Sequence, residues 1–215
     1  MFFNKVISQL ESAVKEHLEL APECHAYDHV KRVLNNALEI MAHETKVNTQ
    51  VVMMAVLLHD IARPEEMASK GEICHAEKGA SMVRSYLESC GVHDEKIIDS
   101  VIECVRKHRY RDNNQPMTIE EKVVYDADKL DALGAIGIGR AFHFAGRIGA
   151  RVHNSDEDAL LSDAYSKNDS AYREYLVKLR HLKDKMLTEK GRELAEKRTR
   201  LMESFFQQLN KEVFD

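Results

Sequence analysis

The strongest constraint on how this chain can fold is the run Val51 to Leu58, eight consecutive apolar residues followed at once by His59 and Asp60. A helix over Thr49 to Ala62 that is apolar on every face must be surrounded by other elements, so the run predicts a central helix, capped by Asn48 or Thr49. It is far too short to span a bilayer, which takes about 20 apolar residues. Gly and Pro are scarce, at 9 and 3 residues, so turn chemistry for many short strands is missing. Leu, Ala, Glu, Lys and Met fill the periodic stretches, and the fold class predicted is all-α.

Helical periodicity recurs along the chain. A first amphipathic helix is predicted over Phe2 to Leu20, with Val6, Leu10, Ala13, Val14 and Leu18 on one face and Pro22 ending it. A second, Ala26 to His43, places Val30, Val33, Leu34, Ala37, Leu38 and Met41 inward, with His29 one turn before Val33. Further helices are predicted over Ile73 to Ser89, Asp94 to Arg106 and Thr118 to Leu133, where Thr118 and Glu121 match a capping box. The small, apolar segment AIGIGRAFHFAG then suits close helix packing; Gly134, Gly137 and Gly139 do not have the spacing of a dinucleotide loop and follow no strand. Arg151 to Ser170 is polar and aperiodic and predicts one long loop. Two charged helices, Ala171 to Met186 and Glu189 to Glu212, close the chain. The expectation is one domain over residues 1–215, with a core at about 20–150 and the loop and C-terminal helices of 151–215 packed on it.

Charge and cysteine usage narrow the function classes. A net charge of −5 offers no general attraction for nucleic acid or anionic lipid, so neither a nucleic-acid nor a membrane partner is expected. Basic residues between Lys178 and Arg200 are interleaved with acids, as on a solvated helix face. Cys24, Cys74, Cys90 and Cys104 lack CxxC spacing and fit reduced thiols. With no export signal in view, a cytoplasmic location is expected.

The chemistry centres on misplaced charge. Asp60 follows His59 where the helix should still be buried, and a buried carboxylate is costly unless a cation or several donors meet it. The bland alternative is a helix that has reached water. In VVYDADKLDAL, Asp126, Asp128 and Asp131 stand among apolar neighbours; helical geometry puts Asp128 and Asp131 on nearly one face and turns Asp126 away. Lys129 neutralising one of them is the structural alternative. With His29 on a core-facing stripe, imidazoles and carboxylates from three helices point to a metal.

These residues together resemble the HD-domain phosphohydrolases: His29 in HAYDHVKRV, the doublet His59–Asp60 in AVLLHDIA, and Asp128 in YDADKLDALGAIGIGRAF. The chain is most similar to the small bacterial and archaeal branch typified by nucleoside triphosphate pyrophosphohydrolases. That branch shows the DADKLDALGAIG block, a His like that in RKHRY and a C-terminal stretch like LVKLRHLKDKMLTEKGRELAEKR, so the likeness runs from about Glu23 to Arg200. It implies a compact helical HD bundle with a C-terminal helical extension. It also implies one divalent metal (Mn, Mg, Fe, Co, Ni or Zn) on His29, His59, Asp60 and Asp128. Two departures stand out: Ala26 follows His25 where branch members often carry an acid, and Arg63 stands where related enzymes place a catalytic acid or His.

The resemblance implies a small-molecule nucleotide substrate, with a nucleoside or deoxynucleoside triphosphate cut to monophosphate and pyrophosphate by a hydroxide-like nucleophile generated on the metal. Asp60, Lys129, His108 and His75 are the catalytic candidates. Lys129 is best placed to meet charge on the phosphoryl oxygens, and Arg63, His75 and His108 join it as candidate substrate contacts. His75 and His108 can equally donate a proton or hold a second metal. The alternatives are a 5′-nucleotidase or nucleotide phosphodiesterase on the same fold, or a nucleotide-sensing module without catalysis. A homodimer is compatible with the sequence.

Overall fold

The computed structural model describes residues 2–19, 27–110 and 114–214, and every described element is helical. Pro22, Cys24 and Ala26 lie outside the described residues. Two compact units form, Met1–Asp128 and Lys129–Asp215.

The first unit is built around α3 (Thr49–Leu58), which packs against α1 (Phe2–Leu18), α2 (Tyr27–Met41) and α6 (Glu95–Lys107). Val52, Ala55, Val56 and Leu58 are fully buried, each large side chain contributing about 1.5–3 kcal/mol on leaving water. Asn48 caps α3, its side chain accepting from the Gln50 and Val51 amides at 3.1 and 3.3 Å. The helix ends earlier than the apolar pattern predicts: it stops at Leu58, and α4 (Arg63–Ala68) restarts with Pro64 in its first turn. α5 (His75–Ser89) packs on both α4 and α6.

On α2 the buried face differs from the predicted one. Ile40 and Asn36 join Val30, Val33, Ala37 and Met41, while Leu38, on the opposite side, is 46% exposed. α7 (Ile119–Leu130) opens with the predicted capping box: the Glu121 amide donates to Thr118 Oγ1, and the Thr118 amide to Glu121 Oε2, both at 3.3 Å.

In the second unit, α11 (Glu189–Phe214) packs on α8 (Gly134–Arg147) and on a 3₁₀ turn (Leu179–Lys185). α10 (Ala171–Val177) packs on α8 and on α9 (Asp156–Leu161). Phe206, 1% exposed, stacks on Tyr175 with ring centres 4.5 Å apart. The structure departs from the predicted elements at two places. The polar stretch contains α9, whose first turn is capped by Ser155 and carries three acids that complement the helix dipole. The helix predicted over Ala171 to Met186 is α10 followed by the 3₁₀ turn, broken at Lys178, whose φ of −139° is outside the helical range. The glycines serve packing at two positions. A Cβ on Gly137 would meet the Ala132 carbonyl oxygen at 2.2 Å, and Gly134 takes a left-handed φ of +74° against the Arg198 side chain.

Candidate metal centre

His29, His59, Asp60, His75, His108 and Asp128 belong to the first unit, and Lys129 opens the second. α2 brings His29, the end of α3 brings His59 and Asp60, the start of α5 brings His75, the end of α6 brings His108, and α7 brings Asp128. Asn36, two turns after His29, donates from Nδ2 to the Ala127 carbonyl at 2.9 Å and so ties α2 to α7 beside Asp128. The possibility that α3 simply reaches water is ruled out, because His59 is 0% and Asp60 1% exposed.

Asp60 stands between two clusters. Its Oδ2 faces His29 Nε2 at 3.5 Å and His59 Nε2 at 3.7 Å. Asp128 Oδ1 completes that side, 3.3 Å from His29 Nε2 and 3.9 Å from His59 Nε2. On the other side Asp60 Oδ1 faces His75 Nε2 at 3.2 Å and His108 Nε2 at 3.6 Å. His29, His59 and Asp128 form one group with metal-ligand spacing; Asp60, His75 and His108 form another.

The imidazoles are aimed by their outer nitrogens. His59 Nδ1 donates to the Val56 carbonyl at 2.7 Å and His108 Nδ1 to the Val105 carbonyl at 2.6 Å. His75 Nδ1 donates to Glu66 Oε2 at 2.9 Å. With Nδ1 protonated, each neutral ring turns an Nε2 lone pair inward. His75 Nε2 and His108 Nε2 then meet at 3.1 Å with no proton to share. Cis ligands about 2.1 Å from one metal lie roughly 3 Å apart, so this donor set fits a divalent cation.

Electrostatics favour the neutral ring at His59 and at His75. Burial pushes His59 down to about 4, against the pull of Asp60 and Asp128 upward. Burial likewise lowers His75 to about 3, opposed by Asp60 and assisted by His108 and Arg63. Burial would raise Glu66, but the His75 hydrogen bond and the charges of Arg63 and Arg109 take it down to about 2. Glu66 is therefore ionised and acts only as an acceptor.

The three aspartates of α7 and its end part company. Asp128 enters the cluster; Asp131 is held by Arg140 Nη1 at 2.6 Å; Asp126, 0% exposed, lies in neither metal-spaced group. Lys129 follows Asp128 and is half-buried. Arg63 donates from Nε to Asp60 Oδ1 at 2.9 Å and from Nη1 to Glu66 Oε2 at 2.8 Å. Sequence reasoning did not single out Glu66, Arg109 or Asn36. The one signal available was the acid three residues after Arg63, an ordinary helical ion-pair spacing.

The HD domain model matches residues 26–133. YpgQ of Bacillus subtilis is 35% identical over 216 residues, covering 97% of this chain and 94% of YpgQ. The crystal structure of YpgQ in complex with ADP superposes with a TM-score of 0.75 at 32% identity, over 99% of this chain and 97% of that one. An HD-superfamily hydrolase from Bacillus thuringiensis gives 0.75 at 32% identity, over 98% and 97%. The fold and the clustered His and Asp side chains thus define a metal-dependent hydrolase. The chain belongs to the HD domain family, whose members bind divalent metals.

Proposed function

We propose that this chain hydrolyses a nucleotide phosphate, and specifically that it cuts a nucleoside or deoxynucleoside triphosphate to the monophosphate and pyrophosphate. The observation that carries the reading is the position of Asp60, one carboxylate oxygen toward each of two groups of inward-facing donors. The ADP held by YpgQ supports a nucleotide as the ligand.

His29, His59, Asp60 and Asp128 would hold one divalent metal, and His75 and His108 with the other oxygen of Asp60 a second. Bound there, a metal supplies Lewis acidity and water of lowered pKa. The chain's own groups do the rest. The backbone carbonyls of Val56 and Val105 and the Glu66 carboxylate hold the tautomers of His59, His108 and His75, so the donors are set before a substrate arrives. Lys129, next to Asp128 in the chain, is proposed to meet negative charge spreading over the attacked phosphoryl group.

Metal-supplemented and metal-stripped protein, assayed on a panel of nucleoside mono-, di- and triphosphates and nucleotide diesters, tests the reading. Metal-dependent turnover concentrated on triphosphates is expected. Preference for monophosphates or diesters would move the assignment to a nucleotidase or phosphodiesterase, and binding without turnover to a sensor.

A further inference from the structure

Beside His75, two guanidinium groups share one carboxylate. Arg63 Nη1 donates to Glu66 Oε2 and Arg109 Nη1 to Glu66 Oε1, each at 2.8 Å. Arg109 Nη1 also lies 3.3 Å from His75 Nδ1 and 3.7 Å from Cys74 Sγ. Glu66 balances one of the two positive charges. The Asp60 carboxylate, which Arg63 Nε also touches, faces both histidine clusters. Two guanidinium groups thus stand beside His75, with Glu66 and one oxygen of Asp60 as their carboxylate partners.

Neither arginine is sealed in, the side chains being 19% and 18% exposed. Arg63 hydrogen-bonds through Nε and Nη1, and Arg109 through Nη1. The Nη2 groups of both, and Nε of Arg109, make no hydrogen bond among the described residues. Guanidinium forks with donors to spare are matched to phosphate oxygens, which they bind in pairs of charge-assisted hydrogen bonds. Glu66 keeps the two forks apart and in place, which limits the side-chain entropy lost on binding.

We propose that Arg63 and Arg109 form a polyphosphate-binding site that receives the leaving pyrophosphoryl part of the substrate, a reading that rests on the triphosphate activity proposed above. A substrate attacked at the Asp60 centre would extend its remaining phosphates to the His75 side, where the arginine pair stands.

The test uses Arg109, which touches no metal-ligand candidate except through the outer nitrogen of His75. Binding of inorganic pyrophosphate to the metal-loaded protein is measured by calorimetry for the parent and for Arg109→Gln. In parallel, kcat/KM is compared for a nucleoside triphosphate and for the p-nitrophenyl ester of the matching nucleoside 5′-monophosphate, which lacks the terminal phosphates. Pyrophosphate affinity is expected to fall roughly tenfold or more, as for loss of one charge-assisted partner, with metal content retained. The preference for triphosphate over ester is expected to fall by a similar factor. Unchanged pyrophosphate affinity, an unchanged preference, or loss of metal would overturn the proposal and leave Arg109 as a support for Glu66. A parent that binds pyrophosphate in an Arg109-dependent way but cleaves no triphosphate would keep the site and overturn the triphosphate reading. Should Arg109→Gln not fold, Arg109→Lys, which keeps the charge and loses the fork, is measured in the same way, and parent-like values there would likewise overturn it.

Discussion

His75 and His108 turn their Nε2 atoms toward each other at 3.1 Å while both Nδ1 protons are committed outward, to Glu66 and to the Val105 carbonyl. Two lone pairs at that distance beside an Asp60 oxygen repel unless a cation lies between them. Metal removal should therefore lower thermal stability. At a thousandfold excess of metal over Kd the linkage is worth about 4 kcal/mol, or roughly 10 °C for a chain of this size. Calorimetry with and without chelator measures it; identical melting temperatures would mean that the clusters are satisfied without metal.

Asp60 and Asp128 differ in place, since Asp60 faces both groups and Asp128 belongs to the one with His29 and His59. Elemental analysis should find close to two metals per chain in the parent. Asp60→Ala should lose both, and Asp128→Ala chiefly one. Equal losses in the two variants would contradict the placement of Asp60 between the two groups.

The arrangement was legible in part. The apolar run of α3 gave away the central helix, and the polar pair at its end was anomalous enough to mark His59 and Asp60. The order of motifs singled out Asp128 from Asp131 through family likeness, whereas its physical basis, the Arg140 clasp on Asp131, is a contact between residues nine apart that periodicity does not reveal. α9 escaped because six residues are too few to show a period, and α10 was overextended because nothing in the sequence marks the break at Lys178. Glu66 meets His75 across a helix boundary and Arg109 from 43 residues away, so neither had a local signature.

Glu66 fixes the tautomer of His75 and carries no substrate in the proposed scheme. Glu66→Gln should keep the fold and weaken metal binding by roughly 10–100-fold, as for other carboxylates that orient a ligating histidine. Competition with a metal-binding dye gives the affinity, and a parent-like value would show that His75 holds its orientation without Glu66.

Acid should destabilise the metal-free protein. His59 and His75 lie at about 4 and about 3, below their ordinary value of 6.5, so the unfolded chain takes up protons first as pH falls. The stability they contribute is complete above 6.5 and is lost downward through those folded-state values. Glu66, at about 2 against an ordinary 4.5, adds a loss of the same sign below 4.5. Melting temperatures of chelator-treated protein taken from about pH 8 down to about pH 4 should decline below the ordinary histidine value. A flat or rising profile would contradict the buried neutral rings.

Lys129 is proposed to meet the attacked phosphoryl group. Lys129→Ala should lower kcat roughly 10²-fold while leaving metal content unchanged, the signature of a contact strengthened in the transition state. Unchanged turnover would return Lys129 to the role of partner for a neighbouring aspartate.

Metal-dependent attack on the α-phosphorus of a nucleoside triphosphate is decided by phosphorus NMR of a reaction run in ¹⁸O-labelled water. Pyrophosphate is expected as product with the ¹⁸O label in the nucleoside monophosphate, and no reaction after chelation. Orthophosphate and a nucleoside diphosphate, or label in the pyrophosphate, would contradict it.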